Sequence, residues 1–175
     1  MTEKDLETVV RGVVSEVLSR KSGYVPENPA NFRKDDRPVP LTEKEARRLC
    51  EVVLSRAEEI GVNAVVCVSD AGGHPLCLLR KESAFIASID IAMNKAFTSV
   101  SLKMPTKNLA TLAAPGGSLY GIQFTNGGKI VIFGGGEPLK RENVIVGGFG
   151  VSGGTAEQDT ALGEFAARYF AKEMQ

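Results

Sequence analysis

Two apolar runs, residues 63–70 (NAVVCVSD) and 74–80 (HPLCLLR), are separated only by Ala71-Gly72-Gly73. A glycine-rich link of this length reverses the chain into a hairpin, whereas a parallel crossover needs a dozen or more residues. At least part of the sheet must therefore be antiparallel, which rules out a doubly wound parallel architecture for this segment.

The flanking segments supply helices to cover that sheet. Thr42 and Glu45 have capping-box spacing, Ala46, Leu49, Val53, Leu54, Ala57 and Ile60 form one stripe, and Gly61 stands as the stop signal. Residues 84–103 carry Ile86, Ile89, Met93, Ala96, Phe97 and Val100 at helical spacing, with Pro105 beyond them, and a shorter helical turn is expected around 106–113. Residues 119–124 and 129–134 flank Thr125-Asn126-Gly127-Gly128 and read as a second hairpin; 144–151 reads as a fifth strand. Thr155 and Gln158 form another capping box, opening a terminal helix with Leu162, Phe165, Ala166, Tyr169 and Phe170. The expected fold class is α+β: about five mostly antiparallel strands packed with helices.

Ahead of this domain, placed at 41–175, residues 1–20 set Leu6, Val9, Val10, Val13, Val14, Val17 and Leu18 on one helical stripe. Residues 21–40 hold four of the eight prolines and no apolar periodicity, as expected of a semi-rigid tether. Lys plus Arg and Asp plus Glu are balanced at 21 each, so no field gathers nucleic acid or an anionic membrane. No apolar run reaches the ~20 residues that span a bilayer, and the acidic start (Glu3, Asp5, Glu7) does not resemble a secretory signal, so a cytoplasmic location is expected. Cys50, Cys67 and Cys77 are odd in number and lack CxxC spacing, so they read as core residues.

Candidate site residues are few. Gly134-Gly135-Gly136 and Gly153-Gly154 lie near ends of apolar strands, where a ligand or another backbone can approach closely; tight turns alone also explain glycine there. Neither cluster matches a phosphate loop. The start of the last helix could hold an anion, but Glu157 and Asp159 already complement its dipole. Lys95 either faces a pocket as a point charge or is solvated. His74 is the sole histidine, so a His-rich metal site within one chain is excluded, while single axial ligation of haem remains open beside the reading of an exposed turn residue. No Ser-His-Asp or Cys-His order can be assigned from the sequence without geometry.

Asp70-Ala-Gly-Gly-His74, SIDIAMNKAFTS at 88–99, LKMPT at 102–106, LYGIQFTNGGKIVIFGGGEPL at 119–139 and GVSGGTAEQD at 150–159 together resemble the GlcG/HbpS-like (DUF336) family, especially the C-terminal domain of PduO. The resemblance implies a compact sheet-and-helix fold, homo-oligomers, and binding of haem or a related tetrapyrrole. If haem binds, His74 or a pocket hydroxyl is the expected axial ligand, because no other imidazole exists in the chain. The corrinoid adenosyltransferase domain of PduO has no counterpart in residues 1–40, so that activity is not expected. Residues 1–20 resemble a microcompartment encapsulation peptide, which implies shell or cargo partners and a place inside a bacterial microcompartment. Folding back onto the domain is the alternative for this helix. The expectation is an accessory protein binding a tetrapyrrole near the glycine-rich ends. The rival is an enzyme acting on a hydroxyacid or aldehyde through Lys95 with Asp70, Glu137 and Asp159.

Overall fold

The computed structural model describes residues 39–174; the expected 1–20 helix and nearly all of the 21–40 tether lie outside them. Helix α1 (Glu43–Glu59) begins at the Thr42/Glu45 capping box, with both reciprocal hydrogen bonds formed, and Gly61 follows it at φ +72°. Strands β1 (Val65–Asp70) and β2 (Pro75–Arg80) form the expected hairpin, with a bulge between Val68 and Ser69. Helix α2 (Ala87–Ser101) follows, then a 3-10 turn (Thr106–Asn108) and the short helix α3 (Leu109–Leu112). Strands β3 (Gly136–Arg141) and β4 (Val144–Ser152) make a second hairpin, and helix α4 (Ala156–Glu173) starts at the Thr155/Gln158 capping box.

The sheet has four strands in the order β2-β1-β4-β3, every neighbouring pair antiparallel. The fold class is therefore α+β as expected, with one strand fewer. The second hairpin is displaced in sequence. Residues 119–134 form no strands: Ile122–Phe124 and Asn126–Gly128 are 3-10 turns, and Gly121, Gly127 and Gly128 all have positive φ, which breaks extended geometry. The Val131 amide donates to Thr98 Oγ1 and the Lys129 carbonyl accepts from it, so this stretch is tied to α2 instead of a strand partner. The strand that does form contains Pro138, which argues against a central strand; β3 lies at the sheet edge, where proline is tolerated.

Alternation along β1 divides the core. Val66 and Val68 face α1 and α4 together with Phe149, Leu162 and Phe170, while Val65 and Cys67 face α2 through Ala92 and Ala96. Helix α2 lies directly against β4, because a Cβ at Gly148 would sit 2.4 Å from the Ala96 carbonyl oxygen and one at Gly150 would sit 2.1 Å from that of Ala92. This three-layer arrangement buries Cys50, Cys67 and Cys77 as free thiols, and burial pushes the Cys67 thiol up to about 12.

Candidate functional site

The end of β4 and the first turn of α4 meet the middle of α2 around one ion pair. Lys95 is fully buried, so the solvated alternative does not hold. Its Nζ donates to Asp159 Oδ2 at 2.7 Å and to the Val151 carbonyl at 2.7 Å, and lies 4.8 Å from the Phe133 ring centroid. Asp159 Oδ1 accepts from the Gly154 amide at 3.0 Å. Burial pulls the Lys95 ammonium below its ordinary pKa and pushes the Asp159 carboxyl above its own, and in each case the partner's charge opposes the shift. The pair joins the two helical layers around the strand ends. It fits because Gly135 has no side chain: a Cβ there would lie 2.9 Å from Lys95 Nζ and 3.0 Å from the Asp159 Cβ.

The other glycines of the two clusters also answer to protein neighbours. A Cβ on Gly134 would meet Thr160 Oγ1 at 1.9 Å, on Gly136 the Thr106 side chain at 2.5 Å, on Gly153 the Asn63 carbonyl at 2.5 Å, and on Gly154 the Gln158 side chain at 2.8 Å. Close approach is thus real at these positions, and the approaching group is the protein itself.

Two depressions open on either side of Phe133. One, of about 440 Å³, is lined by Gly134, Lys107, Thr160 and Glu164; the other, of about 370 Å³, by Phe85, Ser88, Ile91, Ser152, Gly153, Gly154 and Asp159. Ser152 Oγ and Ser88 Oγ are hydrogen-bonded at 3.1 Å and both are buried. Sequence reasoning missed this hydroxyl pair and Phe133, since nothing local links residues 64 positions apart.

The rival acid–base set is only partly assembled. Lys95 and Asp159 touch, but Glu137 lies on the α1/α4 face, where burial raises its carboxyl to about 7 while Lys107 and Arg168 oppose the shift and Glu164 adds to it. Asp70 is farther away. β1 runs from Val65, opposite Ser152, to Asp70, opposite Gly147, a separation of about 17 Å at ~3.3 Å per residue.

His74 belongs to that distant end. Asp70 Oδ1 accepts from the Gly72 and His74 amides at 2.8 and 2.9 Å, fixing the turn, and Gly73, at φ +80°, presses against Phe97. The histidine is exposed and, among the described residues, no hydrogen bond or ion pair engages its imidazole. Phe97, on which the turn's Gly73 packs, has Lys129 Nζ 5.5 Å from its ring centroid. An exposed imidazole, an aromatic face and a cation suit a flat, anionic macrocycle with an axial position, so His74, Phe97 and Lys129 are the residues that could hold haem. His74 does not meet Lys95 or the glycine clusters within one chain. Among the described residues no three His, Cys, Asp or Glu side chains converge on a metal site, and no helix is long and apolar enough to cross a membrane.

Known proteins share this arrangement. A 15.0 kDa protein in the dhaT–dhaS intergenic region of Citrobacter freundii is 41% identical over 141 residues, covering 81% of this chain and 99% of the relative. The corrinoid adenosyltransferase PduO of the same organism is 39% identical over 126 residues, 72% of this chain but 38% of PduO, so the chain spans well under half of that enzyme. Among solved structures, the Klebsiella pneumoniae protein ORFY superposes with a TM-score of 0.74 at 39% identity (81% of this chain, 98% of that one). PduOC in complex with haem gives 0.71 at 35% (74% and 94%), and a double mutant of Streptomyces reticuli HbpS gives 0.69 at 26% (84% and 96%). The family model for haem-degrading HbpS-like proteins matches residues 41–168, the span of the sheet and nearly all of its helices, and the chain belongs to that HbpS-like family.

Proposed function

We propose that this HbpS-like domain binds haem or a related tetrapyrrole, with the His74 imidazole as axial ligand, and acts as an accessory protein of a bacterial microcompartment. The observation that carries the reading is the exposed imidazole of His74, engaged by no hydrogen bond or ion pair among the described residues, on a turn that Asp70 fixes and whose Gly73 packs on Phe97, the ring that Lys129 approaches. Asp70 and the Phe97–Gly73 contact set the backbone of the turn, Phe97 offers an apolar face, and Lys129 offers a cation to a propionate. Bound haem would supply one-electron iron chemistry. In this reading Lys95, Gly134, Gly135, Gly136, Gly153 and Gly154 hold the scaffold at the other end of β1. The haem complex of PduOC, 35% identical, supports the ligand class.

Haemin titration of the full chain tests this by absorbance. A saturable Soret shift at a one-to-one ratio is expected, with His74→Ala losing the shift or weakening it at least tenfold. Absence of a shift with the unaltered protein overturns the haem reading. An unchanged spectrum in His74→Ala transfers axial ligation to another group, such as a pocket hydroxyl.

Likeness to part of PduO supports the compartment role, and the exposed Tyr120 and Phe124 support assembly as a homo-oligomer. Residues 1–20, with their apolar stripe, are the segment proposed to engage shell or cargo proteins. Residues 1–24 fused to a fluorescent reporter should enter compartments in shell-producing cells, and the Val10→Glu/Val13→Glu double variant should not. Equal distribution of the two refutes targeting.

A further inference from the structure

We propose that the cleft between the start of α2, Phe133 and the start of α4 is a binding site for a small neutral molecule bearing a hydroxyl or carbonyl on a short hydrocarbon body. The site is independent of His74, being at the opposite end of β1. Its volume, about 370 Å³, lies at the small end of the range for ligand sites. Its walls are apolar, with Phe85, Ile91 and Phe133 among them.

The polar end is the Ser88–Ser152 hydroxyl pair, whose members are 3% and 5% exposed. Two hydroxyls bring two O–H donors, and their mutual bond uses one. The second donor and the remaining lone pairs match a ligand oxygen that accepts, donates or does both.

Charge decides against ions. The site's carboxylate, Asp159, is already engaged through Oδ1 by the Gly154 amide and through Oδ2 by Lys95. Its neighbour Lys95 spends its charge on Asp159 and the Val151 carbonyl. Among the described residues no lysine or arginine lines the cleft, so a carboxylate or phosphate entering it would leave water without gaining a counter-ion. A neutral ligand avoids that desolvation cost and fills the apolar walls.

Saturation-transfer NMR on the full chain, with 1-pentanol, 2-pentanone and pentanoate as separate probes, tests the proposal. Saturable transfer to the alcohol and the ketone is expected, with pentanoate at least tenfold weaker. Ala156→Leu, at the exposed rim, should abolish transfer by filling the cleft without disturbing the core. Ser88→Ala should weaken the two neutral probes several-fold, and a melting curve on each variant verifies its fold. His74→Ala should change nothing. Absence of saturable transfer, equal response to pentanoate, or transfer that survives Ala156→Leu would each overturn the assignment.

Discussion

Replacing Asp159 by alanine leaves the Lys95 ammonium buried against Phe133 with one carbonyl, that of Val151, as its remaining hydrogen-bond partner. Removing one member of a buried pair generally costs about 3–5 kcal/mol, because the survivor keeps its desolvation penalty and loses the compensating charge. Against a total stability of about 5–15 kcal/mol, that is a large fraction, and it corresponds to a fall in Tm of roughly 10–20 °C for a domain of this size. Lys95→Met should cost less. The Asp159 carboxylate retains its Gly154 amide donor, and burial already favours its protonated form. With Lys95 absent, the folded-state pKa of Asp159 stays above its unfolded value, so its contribution is fully present below the unfolded pKa and is lost as pH rises through the folded one. Lys95→Met should therefore approach the parent protein in stability on acidification. The double variant Lys95→Met/Asp159→Ala removes both charges and should lose less than the sum of the singles. Urea midpoints at pH 5 and pH 8 for the four proteins measure all of this. Additive losses, or single variants within about 0.5 kcal/mol of the parent, would refute the idea that the two charges depend on each other.

Glu137→Gln should stabilise the domain in alkali and leave it unchanged or weaker in acid. Burial raises the Glu137 carboxyl from 4.5 to about 7, so its favourable contribution is fully present below 4.5 and disappears as pH rises through 7. Such a rise would correspond to about 3 kcal/mol, trimmed by solvent near the side chain to about 1–2; a variant-to-parent difference that does not grow between pH 5 and pH 8 in urea unfolding contradicts this. Gly150→Ala should cost about 3 kcal/mol or more, since the new methyl meets the Ala92 backbone carbonyl at 2.1 Å and backbone cannot swing aside. A loss below about 1 kcal/mol by the same assay would show that α2 can lift from β4.

Local chemistry was enough to mark both long capped helices, because Thr42/Glu45 and Thr155/Gln158 satisfy helix-end amides with residues three positions away. It also marked the first hairpin, where Ala71-Gly72-Gly73 permits little else, and strand β4. The second hairpin escaped it. Residues 119–124 and 129–134 carry the apolar content of strands, yet their backbone is turned by Gly121, Gly127 and Gly128 and held by Thr98, whereas Gly136–Arg141 conceals a strand behind Pro138 that only an edge position tolerates. The site shows the same division. The sequence by itself determined that there is one imidazole, placed on a glycine turn, and that glycine clusters stand near strand ends. Only the tertiary structure decided that these lie at opposite ends of β1, that Lys95 is sealed against Asp159, and that Ser88 meets Ser152. The physical reason is range: caps and turns are set by neighbours a few residues apart, while burial, charge pairing and cleft shape arise from residues 56 and 64 positions away, brought together when α2 settles on the glycines of β4.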